Sequence, residues 1–258
     1  MDEAQKQQAI DTHTSQASEF DDSYKELGRD AYKTCFTYSR RRLEVLLEHY
    51  LPAHGAGHSL LDVGCGTGHH MAILRNRGYD VAGVDGSPGM LEVARRNNPG
   101  ADIRTSDVES LPHESSRFDY VMCIEVLRYL PKVDACLSEI ARVLKPGGTA
   151  LVTAAPLLSV NGYYFVNRVA TAIPLGGLVR LKQFFATSGG LTEAFRRAGF
   201  SEVEVHGVYS GPLNWVEHLA PGILPSILNS WEPVDARVSD MPLLRELSNM
   251  FLVIARKS

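Results

Sequence analysis

The stretch Leu60-Leu61-Asp62-Val63-Gly64-Cys65-Gly66-Thr67-Gly68 decides how the rest of this chain is read. Apolar residues flank an acid and then give way to three glycines spaced two apart. A short apolar run breaking into glycine reads as a buried strand entering a tight loop, and Ala72-Ile73-Leu74 then opens a helix. Glycine lets a ligand approach the backbone more closely than any side chain allows. A small polar ligand is therefore expected on this loop. The alternative is a turn that only links strand to helix.

Outward from the loop the pattern alternates. Strand Ser59–Val63 leads to helix His69–Arg77, strand Asp80–Val84 and helix Pro88–Asn97. Strand Ala101–Arg104, strand Tyr120–Cys123, helix Val133–Leu144 and strand Thr149–Ala154 follow. Such alternation implies parallel strands with right-handed crossovers, hence an open, doubly wound α/β sheet. Upstream, residues 1–19 read as a polar, frayed lead-in, and Tyr24 to Tyr50 as one helix with Leu43, Leu46, Leu47 and Tyr50 on a single face. Downstream, Pro156 to Phe185 is long, apolar and irregular, carrying Tyr163, Tyr164, Ile173, Pro174 and Leu178. Helix Leu191–Ala198, a strand near Glu202–His206, a mixed segment Pro212–Trp231 and a strand Phe251–Ala255 close the chain. The expected organisation is a helical lid or cap over residues 1–58 and a ligand-binding domain over 59–258, with an insertion at about 156–186.

The length, 258 residues, suits one α/β domain with an elaboration, and 44% hydrophobic with 22% charged residues is enough for a sizeable core. The formal charge of −4 argues against a nucleic-acid partner. Arg40-Arg41-Arg42 reads as a solvated helix face. Cys35, Cys65, Cys123 and Cys136 form no CxxC pair and no metal-ligand spacing, which fits a reducing compartment. Met1 to Ser18 lacks an apolar leader core, and no segment is read as a bilayer span. A cytoplasmic location is expected; the oligomeric state is not legible.

The ligand is narrowed by spacing. The dinucleotide fingerprint places its third glycine at the sixth position, where this chain has His69; its own third glycine comes one residue early. Asp85 ends the second strand, twenty-one residues after Gly64, where a carboxylate can accept both ribose hydroxyls or cap the helix beginning at Ser87-Pro88. Ser106-Asp107-Val108 follows the third strand, and Phe118 to Glu125 forms a fourth whose tip adjoins the glycine loop. Ligands of open α/β sheets bind at such carboxyl ends. Lys145-Pro146-Gly147-Gly148 reads as a structural turn.

LLDVGCGTG, GVDGSPGML, SDVESLP, FDYVMCIEVLRYL and LKPGG together resemble, in order and spacing, the motifs of the class I S-adenosylmethionine (SAM) methyltransferases. The resemblance covers about residues 59–155. It implies a Rossmann-like seven-stranded sheet with an antiparallel last strand, supplied here by Phe251–Ala255. It further implies that Asp62, Gly64, Cys65, Gly66 and Gly68 cradle the methionine part of SAM and that Asp85 and Gly86 hold the ribose. Met90 would pack on the adenine, Asp107 and Val108 would meet its edge, and Cys123 and Glu125 would lie near the amino acid and the methyl group. Tyr24 and Tyr32 offer aromatic surface for a lid or for core packing.

Asn161-Gly162, Leu181-Lys182-Gln183-Phe184-Phe185 and Arg197-Ala198-Gly199-Phe200 also resemble the ubiquinone-pathway O-methyltransferases. That likeness implies that Arg42, beside Leu43, helps bind SAM, and that the insertion associates with membrane over a lipophilic acceptor. From its own residues the insertion reads as a lid over a buried apolar acceptor pocket, the alternative being membrane contact with Arg168, Arg180 and Lys182 at the head groups. Their E-x-x-E-H metal motif reads Glu125-Val126-Leu127-Arg128-Tyr129 here, and an arginine cannot ligate a cation, so no metal is expected. His206 and His218 are the candidate bases, since histidine titrates near neutral pH. The expected activity is methyl transfer from SAM to a small, partly apolar acceptor, at oxygen. The rivals are a lipid- or quinone-directed peripheral methyltransferase, a nucleotide-dependent oxidoreductase and a non-catalytic SAM-binding protein.

Overall fold

The computed structural model describes residues 3–130, 132–172 and 183–258. In chain order the elements are α1 (Glu3–Ser15), α2 (Ala17–Leu27), α3 (Cys35–Tyr50), β1 (Ser59–Val63), α4 (His69–Asn76), β2 (Asp80–Asp85), α5 (Pro88–Asn97), β3 (Asp102–Thr105) and β4 (Phe118–Cys123). There follow α6 (Asp134–Val143), β5 (Leu144–Ala154), α7 (Tyr163–Ala172), α8 (Ser188–Arg197), β6 (Phe200–Tyr209), α9 (Leu213–Leu219), α10 (Leu224–Val238) and β7 (Met250–Lys257).

The strands form one sheet in the order β3-β2-β1-β4-β5-β7-β6. β1 to β5 run parallel, and β7 inserts antiparallel to both β5 and β6. The connection leaves β1 in one direction toward β2 and later returns on the other side as β4, so a crevice opens at the carboxyl ends of β1 and β4. The sheet is covered on both sides, which is why its central strands are apolar at consecutive positions. Leu61, Val63, Val121, Val152 and Val253 face α6 and α8 through Leu137, Ile140, Leu191 and Phe195. Leu60, Met122, Leu151 and Leu252 face α3, α4 and α5 through Tyr38, Leu43, Leu47, Met71 and Leu91. Each fully buried side chain of this kind contributes about 1.5–3 kcal/mol.

Helix boundaries follow the caps. Thr34 and Thr37 form a reciprocal capping box at the start of α3. Ser87 accepts from Met90 N with Pro88 in the first turn of α5, and Thr187 accepts from Gly190 N at α8.

Several expectations are corrected. The lead-in is not frayed: residues 3–15 form α1. The helix read from Tyr24 to Tyr50 is two helices, because α2 ends at Leu27 and Asp30 accepts from Tyr32 N in a turn before the Thr34 cap. β5 starts at Leu144, which pairs with Phe118, so Lys145–Gly148 lies inside an irregular strand, with Gly147 at φ 75°. The segment 212–231 is helical, and α10 continues through Pro233 to Val238. The insertion contains α7. Ile173, Pro174, Leu178, Arg180, Leu181 and Lys182 lie outside the described residues.

Candidate functional site

A cavity of about 710 Å³ opens where β1, β2 and β4 end. Its floor is the glycine loop. Gly64 has φ 73°, and a Cβ there would come within 2.2 Å of Val126 Cγ2, so no other residue fits. Gly66, at φ 53°, faces open space, leaving its backbone accessible to a ligand. Gly64 N and Cys65 N donate to Val84 O at 2.7 and 3.0 Å, tying the loop to β2.

Four carboxylates border this space. Asp85 Oδ2 accepts from Gly66 N at 2.9 Å and Oδ1 from Ser87 N at 2.8 Å, so it braces loop and helix start while lining the cavity. Each carboxylate oxygen can still accept a second bond. The cap of α5 is Ser87 itself. Asp62 is buried, and among the described residues its Oδ2 has no hydrogen-bond partner. Burial, reinforced by the charge of Asp85, pushes its pKa up to about 7. Asp107 is bridged by Lys6, which also donates to Glu109 at 2.9 Å. Glu125 adopts φ 62°, a conformation costly for a residue with a side chain, and is held there by Glu125 N donating to Thr153 Oγ1 at 2.6 Å. Burial alone would raise its pKa, but the guanidiniums of Arg128 and Arg40 outweigh it and keep the carboxyl below its ordinary value.

These two arginines form the opposite wall. Arg128 Nη1 donates to Glu125 at 2.6 Å and Nη2 to Gln183 Oε1 at 2.9 Å. Arg40 is buried, lies 5.0 Å over the Phe36 ring and stands 3.8 Å from Glu125, yet its Nε and Nη1 have no partner. Helices α1 and α2 roof the cavity with Lys6, Ile10, His13, Phe20 and Tyr24. Tyr24 stacks on His69 at 4.2 Å. His70 lines the same corner, its pKa driven down to about 3 by burial and then by His69 and Arg40.

Of the residues expected at the site, Tyr24, Asp62, Gly64, Cys65, Gly66, Asp85, Gly86, Met90, Asp107, Val108 and Glu125 line this cavity. Others do not. Arg42 points to α10, pairing with Glu232 at 3.1 Å and Asp235 at 3.8 Å, while Arg40 reaches the cavity in its stead. Two positions along a helix turn the side chain by about 200°, to the other face. Tyr32 packs against Tyr38, and Cys123 is buried in the core beside Cys136. Gly68 starts α4 without entering the lining. His206 is bound to Tyr50 and Asp240 near the far edge of the sheet, and His218 is exposed on α9. Neither lines the cavity. The reading missed Lys6, His13, Arg40, His70 and Tyr129. Only Arg40 carried a signal, since it shares its helix face with Leu43 and Leu47.

The unsatisfied groups match the ends of an α-amino acid. Among the described residues Asp62 Oδ2 and Arg40 Nε and Nη1 have no hydrogen-bond partner, Arg40 reaching Glu125 only at 3.8 Å, while the loop and Asp85 border the space between them. Buried polar groups without partners are rare enough that a ligand carrying an ammonium, a carboxylate and a ribose is a fitting complement. The fold is the Rossmann-like one of the SAM-dependent methyltransferases. Residues 61–152 match the family model described as a methyltransferase domain, and this part of the chain belongs to that family. The chain is 34% identical over 179 residues to the biotin biosynthesis bifunctional protein BioHC of Cellvibrio japonicus, covering 64% of this chain and 34% of that one. It is 30% identical over 169 residues to the ubiquinone biosynthesis O-methyltransferase of Cereibacter sphaeroides, covering 62% and 66%. The chain thus spans about a third of the first relative's length. In fold it is similar to the SAM-dependent methyltransferase of Mesorhizobium loti, with TM-score 0.59 and 20% identity over 83% of this chain and 96% of that one.

Proposed function

We propose that the protein transfers a methyl group from SAM to a small, partly apolar acceptor, at an oxygen atom. The observation that carries this reading is one cavity that brings together Asp62 and Arg40, each with buried polar atoms that have no hydrogen-bond partner among the described residues, the Asp85-braced glycine loop and an apolar wall of Phe20, Phe36, Val126 and Leu130. SAM supplies an already activated methyl group on sulfur. The protein's share is to bind, orient and exclude water. Asp62 would take the ammonium, Arg40 the carboxylate, Asp85 the ribose hydroxyls, and Met90 with Val108 the adenine. Residues 1–58 act as a cap, α1 and α2 closing over the site. Support for oxygen comes from the name of the Cereibacter sphaeroides relative.

The test is a methyl-transfer assay with labelled SAM against phenols, carboxylic acids and amines. Transfer to a hydroxyl or carboxyl member supports the reading, and transfer only to amines contradicts the choice of oxygen. SAM binding without transfer to any member favours a non-catalytic binder.

A second reading concerns the insertion. Phe165, Val166 and Val169 are exposed on α7 beside Arg168, a face suited to an anionic membrane surface. Among the described residues no helix is long and apolar enough to cross a membrane. Flotation with phosphatidylglycerol vesicles that is lost in Phe165→Glu supports peripheral contact with a lipid-like acceptor. Flotation unaffected by the substitution removes α7 as the contact.

A further inference from the structure

We infer that His13 is the group that takes the proton from the methyl acceptor's hydroxyl, an inference that rests on the function proposed above. The roof of the cavity follows the donor's length. Lys6 sits on Asp107 at the adenine end, and Ile10 lies against Gly86, whose added Cβ would meet Ile10 Cδ1 at 3.3 Å. Tyr24 covers His69 at the methionine end. His13 falls between them. Its ring meets Tyr129 edge-on at 4.9 Å and shares the cavity lining with Asp85. Tyr129 belongs to the loop after β4, which carries Glu125 and Arg128, so His13 stands where the Asp85 side of the cavity meets the wall of Glu125, Arg128 and Tyr129.

The tautomer of His13 is set by its backbone. Nδ1 lies 2.7 Å from Ala9 O, and a carbonyl can only accept, so Nδ1 carries the hydrogen. In the neutral ring Nε2 then holds the lone pair, and among the described residues Nε2 has no hydrogen-bond partner. The ring is half-buried, stacked on Phe20 at 5.8 Å, which fixes its plane.

Four other titratable groups of the cavity, His70, His69, Glu125 and Tyr24, are unsuited to this role. His70 is held near a pKa of about 3 and is too weak a base at neutral pH. His69 directs Nε2 at Glu44, 3.3 Å away. Glu125 is bound to Arg128, and burial pushes the Tyr24 phenol up. In the transfer step the acceptor oxygen bonds to the methyl carbon while the carbon–sulfur bond breaks with its pair left on sulfur. His13 Nε2 receives the hydroxyl proton, and the imidazolium later releases it to water.

The test uses 4-nitrophenol as an acceptor probe, because its ionisation is visible. The full chain saturated with S-adenosylhomocysteine is titrated with 4-nitrophenol at a pH where the free phenol is mainly protonated. We expect about tenfold more phenolate in the bound state of wild type than of His13→Asn. Asparagine keeps a donor for Ala9 O but loses the ring contacts along with the lone pair, whereas His13→Phe keeps a ring against Phe20 and Tyr129 without the lone pair; both variants should lose the phenolate, and a merely structural role predicts that His13→Phe retains it. Affinity for S-adenosylhomocysteine should stay within about twofold, since the variant leaves α1 in place. Absence of a phenolate signal in wild type, or an equal signal in either variant, overturns the assignment. Failure of S-adenosylhomocysteine itself to bind overturns the proposed function instead, and this inference with it.

Discussion

At the scale of residues, Asp62 carries the sharpest consequence. Its carboxyl is raised to about 7 by burial and by Asp85, so the folded chain keeps a proton that the unfolded chain has lost. Stability therefore falls as pH rises from the unfolded value of 3.8 through the folded one. Only the ionised form complements an ammonium. Asp62→Asn should raise Tm at about pH 8 and weaken S-adenosylhomocysteine binding at least about tenfold, as read by thermal melts and calorimetry. A variant that binds normally would separate Asp62 from the donor. Asp85→Ala removes the acceptor for Gly66 N as well as a ribose partner, and a loss of about 10–100-fold in affinity is expected with the sheet intact by circular dichroism. The three strand-tip acids could be found in the sequence because a strand end fixes where the next side chain goes. The choice between Arg40 and Arg42 depended on helix phase, which a run of three arginines conceals.

At the scale of elements, the roof matters most. α1 meets α5 so closely that a Cβ on Gly89 would lie 2.6 Å from Thr14 O, and Thr14 Oγ1 bonds Ser87 Oγ at 2.8 Å. Gly89→Ala should lift α1 and speed release of S-adenosylhomocysteine several-fold in stopped-flow while leaving the melting transition cooperative. An unchanged release rate would show that α1 does not retain the donor. This helix was invisible in the sequence because Glu3–Ser15 has no apolar stripe; its partners are the loops of the site, and periodicity cannot report those. On the opposite side, Asp235 is fully buried between Tyr38 Oη at 2.7 Å, Ser210 N at 2.8 Å and Ser210 Oγ at 2.7 Å, joining α10 to α3 and β6. Asp235→Ala should cost about 3 kcal/mol in denaturant unfolding, because it also strips Arg42 of a buried counter-charge.

At the scale of the whole molecule, the sheet was legible from β1 to β5 because alternating strands and helices allow few topologies. The antiparallel β7 was reached only through family likeness, since nothing in Phe251–Ala255 encodes its direction. The roof and far wall of the cavity were least legible: His13 and Arg40 come from helices that converge with the strand tips only in three dimensions. The charge distribution gives the fold a pH signature. His206 is raised chiefly by its hydrogen bond to Asp240, so its contribution is complete below the unfolded value of 6.5 and is lost as pH rises through the folded one. Asp119, lowered to about 2 by bonds from Ser59 and Lys145 that outweigh its burial, contributes above the unfolded value of 3.8 and is lost as pH falls through the folded one. With Asp62 acting in the same direction as His206, Tm should decline as pH rises from 3.8 through about 7 and further above 6.5 as His206 titrates, and His206→Gln should flatten the part above 6.5. The account as a whole turns on which ligand fills the cavity. Calorimetric titration of the full chain with SAM and, separately, with NADH decides it most directly: the account predicts one saturable site for SAM, weakened in Asp85→Ala, and no binding of NADH. Binding of NADH but not SAM would contradict it.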